Sequence, residues 1–165
     1  MKTLLLVRHA KSSWEEAGMS DFDRPLNERG KRDAPDMAAR LLQKGVKIDR
    51  FVSSPAKRAK RTARYFAEAY GKEKGDILLI EPLYLAPPEV FRNVVKALPA
   101  EADTAALFAH NPGITEYANT LTGVRIDDMP TCAVIAVSAD TDSWEGFGAA
   151  EKTFLFFDYP KNSLG

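Results

Sequence analysis

The feature that most restricts this chain is the unbroken run Leu4-Leu5-Leu6-Val7 close to its start. A strand with one wet face alternates apolar and polar residues. A run without alternation is what a strand covered on both faces requires, and such strands belong to parallel sheets lying between helices. The segments that follow extend the pattern. Residues 11–25 have no periodicity and read as a loop. Asn27 is placed to cap a helix over roughly 28–44, with Gly45 as its stop, and Pro35 marks a kink or a later start. Arg50 to Ser53 reads as a short strand, and Ser54-Pro55 as an N-cap with proline at the first helical position, opening a helix to about Tyr70. Ile77 to Ile80 is a predicted strand, Pro88 to Leu98 a helix, and Thr104 to Ala109 a strand. Asn111-Pro112-Gly113 repeats the cap-and-proline helix start. Residues 131–138 and 151–157 read as two strands with only a turn-rich segment between them, so one of them runs antiparallel. The expected fold is α/β: a three-layer α/β/α sandwich with a mostly parallel central sheet, one antiparallel strand, and a single domain over 1–165.

Charge and cysteine content exclude several partners. Lys plus Arg and Asp plus Glu number 23 each, so no net field draws the chain to nucleic acid or to a membrane surface. Cys132 is the one cysteine, which rules out an intrachain disulfide, and no Cys/His group has zinc-ligand spacing. No metal and no cofactor are expected. The first apolar run is too short for a signal peptide or a membrane span, and a cytoplasmic location is expected.

Chemistry concentrates on a few residues. The chain has two histidines, His9 and His110, and each ends a predicted strand. In open α/β sheets ligands bind beyond the carboxyl ends of strands. Arg8 sits beside His9, where a guanidinium at the end of a buried strand calls for an anionic partner; its planar donor fork suits a phosphate or a carboxylate. The segment from Ser53 to Thr62 is strongly basic. Lys57, Lys60 and Arg64 read as a solvated helix face. Arg58, in the first turn after a strand end, can reach the sheet edge that carries His9.

These segments resemble one known family. Leu6-Val7-Arg8-His9-Ala10 is similar to the Arg-His-Gly signature of the histidine phosphatase (phosphoglycerate mutase-like) superfamily. Ser54-Pro55-Ala56-Lys57-Arg58-Ala59-Lys60-Arg61-Thr62-Ala63 is similar to its Ser-Pro-x-x-Arg-Ala-x-x-Thr-Ala motif, and Ala109-His110-Asn111-Pro112 to its second histidine motif. Asp23-Arg24-Pro25-Leu26-Asn27-Glu28-Arg29-Gly30 fits the Arg-Pro-Leu-Thr-x-x-Gly segment of the short, SixA-type phosphohistidine phosphatases. Thr131-Cys132-Ala133 fits the start of their penultimate strand. The motifs follow the family order over nearly the whole chain.

The resemblance implies that His9 is a nucleophile that becomes phosphorylated, with Arg8, Arg58 and His110 holding the phosphoryl oxygens. Phosphate or vanadate is the implied site ligand. Two arginines nearby should keep His9 neutral by like-charge repulsion. Ser12 and Trp14 fit the extended signature of the mutase branch, but Glu15 stands where that branch has asparagine and reads as exposed. Arg24 either touches the substrate phosphate or pairs with Asp21 or Asp23. Ala10 replaces the usual glycine. Ester-cleaving branches carry an acidic proton donor where this chain has Tyr84-Leu85, and Glu81 and Glu89 are the only nearby replacements. Without a donor, the expected substrate is phosphohistidine on a protein, met in an open pocket. The alternatives are a small-molecule phosphomonoesterase using Glu81 or Glu89 and a catalytically silent phosphate-binding module.

Overall fold

A computed structural model describes residues 1–15 and 17–162. Its strands are β1 (Lys2–Arg8), β2 (Arg50–Ser53), β3 (Ile77–Leu79), β4 (Thr104–Ala109), β5 (Val134–Ala139) and β6 (Lys152–Asp158). Its α-helices are α1 (Glu28–Gln43), α2 (Lys57–Ala69), α3 (Pro88–Lys96) and α4 (Gly113–Ala118). The strands form one sheet in the order β3-β2-β4-β1-β5-β6. β3, β2, β4 and β1 run parallel, while β5 is antiparallel to both β1 and β6. The expected antiparallel strand is therefore β5.

The layering explains the run at residues 4–7. Leu4 and Leu6 pack into a core with Phe91 and Val95 of α3 and Ile114 and Tyr117 of α4. Leu5 and Val7 point the other way, into a core with Met37 and Leu41 of α1 and Phe66 of α2. All four side chains from Leu4 to Val7 are buried, so at these positions neither face of β1 is open to solvent. Truncating one of these leucines to alanine should cost about 2–5 kcal/mol.

Three local expectations change. Helix α2 starts at Lys57, and its N-cap position holds Ala56 without a side-chain cap. Ser54 accepts from the Ala56 N–H at 3.2 Å, and its hydroxyl also meets His110 at 2.7 Å, so the predicted cap is turned toward the sheet edge. Likewise Asn111 does not cap α4, whose N-cap position is Pro112. Its side chain instead donates to Asp128 and to the Met129 carbonyl. Finally, β5 begins at Val134 rather than at residue 131. Cys132 has a positive φ of 61°, and its N–H meets the carbonyls of Arg8 and His9. Residues 131–133 are thus a turn that seals the end of β1. Pro35 lies within α1, which already starts at Glu28 under the Asn27 cap.

Candidate active site

The order β2-β4-β1 brings three parallel strand ends side by side. His9 follows β1, His110 follows β4, and the segment from Ser54 to Arg58 follows β2. One hydrogen-bonded chain sets their register. The Ala10 N–H donates to Thr62 Oγ1 at 2.9 Å, and the Thr62 hydroxyl donates to the Arg58 carbonyl at 2.8 Å. This fastens the first turns of α2 to the residue after His9.

His9 Nδ1 lies 2.8 Å from the Ala10 carbonyl oxygen. A carbonyl only accepts, so the ring hydrogen sits on Nδ1 and Nε2 keeps its lone pair. Arg58 Nε donates to that Nε2 at 3.3 Å. The imidazole is held well below its usual pKa, first by burial and then by its neighbours His110, Arg58 and Arg8, against the opposing pull of the Ala10 bond. Burial thus outweighs the arginine repulsion expected from sequence, and both act in the same direction. A neutral ring whose Nε2 lone pair is held only by the long Arg58 contact is a competent nucleophile once that contact gives way to phosphorus.

His110 stands with its ring centroid 5.2 Å from that of His9. Its Nε2 shares a 2.7 Å hydrogen bond with Ser54 Oγ, and its Nδ1 is buried without a partner among the described residues. Burial, followed by Arg58, lowers its pKa to about 3, outweighing the opposite effect of Asp21. Arg8 donates from Nη1 to the Met129 carbonyl at 2.9 Å, while its Nε is buried and has no partner among the described residues. Burial lowers the Arg8 pKa as well, with Asp128 opposing. Two buried polar atoms without partners, on residues that flank a lone pair and two guanidinium groups, suit an anion with several oxygens.

Arg24 and Ser12 lie one step out. Arg24 Nη1 donates to Ser12 Oγ at 2.6 Å, and its Nε and Nη2 reach Asp21 Oδ1 at 3.2 and 3.1 Å. Asp23 instead bonds Ser20. Trp14 stacks its exposed ring 3.5 Å from the Arg24 guanidinium carbon. Glu15 is exposed, as expected. Glu81 and Glu89 are exposed too, and neither side chain bonds a site residue among the described residues.

Asp21 and Tyr84 had no assigned role in the site, and the structure brings both into it. Asp21 Oδ2 accepts from Arg58 Nη2 at 3.0 Å and from the Tyr84 hydroxyl at 2.5 Å. The Asp21 carbonyl takes a further bond from Arg58 Nη1 at 2.6 Å. Partial burial would raise the Asp21 carboxyl, but its bonds from Tyr84, Arg58 and Arg24 outweigh that and hold it at about 2. Tyr84 is pushed up by burial and by Asp21, and its ring meets His110 edge to face at 5.6 Å. This bridge amends the expectation of an open pocket. His9 is 6% exposed and His110 2%, whereas the Asp21 side chain beside Arg58 is half-buried. The only advance signals were the aspartate spacing ahead of Arg24 and the position of Tyr84 in the proton-donor segment.

Comparison with known proteins bears on the family and the fold. The family model for the histidine phosphatase superfamily (branch 1) matches residues 4–78. An uncharacterised chloroplast protein of Arabidopsis thaliana is 30% identical over 152 residues, covering 87% of this chain and 69% of the relative. Phosphoserine phosphatase 1 of Hydrogenobacter thermophilus is 41% identical over 75 residues, 44% of this chain and 35% of that protein. Among solved structures, the protein histidine phosphatase SixA complexed with tungstate superposes with a TM-score of 0.81 at 22% identity, covering 97% of this chain and 98% of SixA. With its SixA-like α/β fold and its Arg-His strand end, the chain belongs to the histidine phosphatase superfamily.

Proposed function

We propose that this protein hydrolyses phosphohistidine on a protein through a phospho-His9 intermediate. The observation that carries the reading is the tautomer of His9: Nδ1–H tied to the Ala10 carbonyl, with the Nε2 lone pair beside Arg58. In the first step Nε2 attacks phosphorus and the substrate's N–P bond breaks. The departing imidazole accepts a solvent proton at its other nitrogen. In the second step water attacks phospho-His9, inorganic phosphate leaves, and the neutral His9 ring returns. Arg8 and Arg58 neutralise the charge that spreads over the equatorial oxygens. His110 contributes a further contact on the other side of the phosphoryl group. Arg24, steadied by Ser12, supports the outer edge of the anion site. Every role is filled by a side chain, so activity should survive exhaustive chelation. Phosphate and vanadate should compete with substrate.

The carboxylates support the substrate assignment. An alkoxide leaving group needs a proton donor. Glu81 and Glu89 are exposed and unbonded to the site, and Asp21, held at about 2, is ionised at neutral pH. Exposed Trp14, Phe22 and Leu85 border Arg24 and Tyr84, which suits contact with a protein surface. A small phosphate ester is the second reading, favoured by the 75 residues shared with phosphoserine phosphatase 1.

The test is a panel of a phosphohistidine protein, phosphoramidate, aryl phosphates and phosphoserine at matched concentrations, with acid-labile phosphate trapped on the enzyme. Fast N–P cleavage and label lost in His9→Ala are expected. Phosphoserine turned over as fast as phosphohistidine would hand the assignment to the ester reading, and label on another residue would remove His9 as the nucleophile.

A further inference from the structure

The chain carries an anion of its own one guanidinium away from the nucleophile. Arg58 donates Nε to His9 Nε2, while its Nη1 and Nη2 are drawn to the carbonyl and carboxylate of Asp21. The same carboxylate takes two bonds from Arg24 and one from Tyr84. Asp21 therefore engages Arg58, which touches His9, and Arg24, one step out, and it does so in a side chain that solvent can reach, at 41% exposure. Nothing in the catalytic cycle above uses this carboxylate. Because it is ionised throughout the neutral range, it has no proton to give.

We propose that Asp21 is a specificity-determining residue that acts as a resident competitor, weakening the site's hold on doubly charged inorganic phosphate so that the product leaves. Two arginines and a buried histidine pair around one oxyanion, with Arg24 at its outer edge, would otherwise bind it tightly. A fixed negative charge against Arg58 and Arg24 offsets part of that attraction and repels the second charge of the dianion more than the first. The orientation of Arg58 is a second consequence, since its outer nitrogens are aligned by Asp21 while its Nε faces His9. The inference rests on the phosphatase reading of the site.

The experiment measures binding of inorganic phosphate by calorimetry, and its inhibition of aryl phosphate turnover, in wild type, Asp21→Asn and Asp21→Glu. Asparagine keeps the size and an acceptor for Tyr84 but removes the charge. Phosphate should bind Asp21→Asn about three- to tenfold tighter than wild type, an effect scaled down by the solvent exposure of Asp21. The gain should be larger near pH 8, where phosphate is mostly dianionic, than near about pH 6, where its second proton is largely retained. It should shrink as salt is raised. Asp21→Glu should stay close to wild type. A residue that merely braced the loop would give weaker binding in Asp21→Asn with no such pH dependence, and that result, or unchanged affinity, overturns the inference while leaving the phosphatase reading intact. Failure of wild type and Asp21→Asn alike to bind phosphate would overturn both.

Discussion

Replacing Arg58 by lysine keeps the charge and removes the fork, and the structure sets out what that change costs. The guanidinium makes three separate engagements from a side chain that is 3% exposed: Nε to His9, Nη1 to the Asp21 carbonyl and Nη2 to the Asp21 carboxylate. A lysine ammonium is a single point with three donors and cannot span His9 and Asp21 at once. Bound substrate would lose the paired donors that meet the equatorial oxygens as charge builds there. Loss of one preorganised donor at a developing oxyanion typically costs about 10²–10³ in turnover, or about 2.7–4 kcal/mol. Arg58→Lys should fall in that range in kcat/KM, with kcat carrying most of the loss because the interaction strengthens in the transition state. The assay is steady-state hydrolysis of an aryl phosphate with an acidic phenol, beside a thermal melt to show that the fold survives. An Arg58→Lys enzyme within about threefold of wild type would mean that charge alone suffices at this position, and the two-pronged argument would be wrong.

Two further outcomes follow from the site. The chain has only two histidines, so imidazole NMR resolves both, and neither should titrate near the usual histidine value, since His110 is lowered to about 3 and His9 well below normal. In linkage terms the unfolded chain binds these protons first. The stability that the neutral rings contribute is complete above about pH 6.5 and is lost as pH falls toward the folded values; a native ring titrating near 6.5 would refute the burial argument. Gly113→Ala would set a Cβ 1.7 Å from the Ala86 carbonyl oxygen, against backbone that cannot swing aside, whereas Gly123→Ala meets nothing within 4 Å. The first should lose about 1–3 kcal/mol or more in denaturant melts and reduce activity through the adjoining His110 and Tyr84 segments, and the second should match wild type.

The legible parts of this protein are those that local pattern controls. Leu4 to Val7 announce a strand covered on both faces because burial removes the need for alternation. His9 and His110 are readable as strand-end residues because the β/α rhythm fixes where strands stop. Arg58 stands out among its basic neighbours by its place in the first turn of α2, on the inward face that also buries Thr62. Asp21 and Tyr84 are different. Asp21 sits in a short 3-10 turn within an aperiodic loop, and Tyr84 lies 63 residues later, between β3 and α3. Their bond depends on two loops folding over the same strand ends, and no period or cap motif encodes that. Ser54 departs from its local pattern for a related reason. Its sequence context is that of a helix cap, but a buried histidine one strand away engages the hydroxyl that the cap would have used.

The position of the ring hydrogen on His9 also governs the second half of the proposed cycle. When Nε2 takes the phosphoryl group, Nδ1 keeps its hydrogen because the Ala10 carbonyl can only accept. The phosphorylated ring is then a cation, and burial beside Arg8 and Arg58 disfavours a cation there. The N–P bond is accordingly weakened in the enzyme's own intermediate, and hydrolysis returns a neutral imidazole without any proton delivered by an acid. The first step has the same form when the substrate is itself a phosphohistidine, since one imidazole replaces another on phosphorus. An alkyl ester breaks that symmetry by demanding a proton at the departing oxygen, which an ionised Asp21 cannot supply. One arrangement of His9 would therefore serve both steps of the proposed N–P hydrolysis, with no proton donor required from the Tyr84 segment.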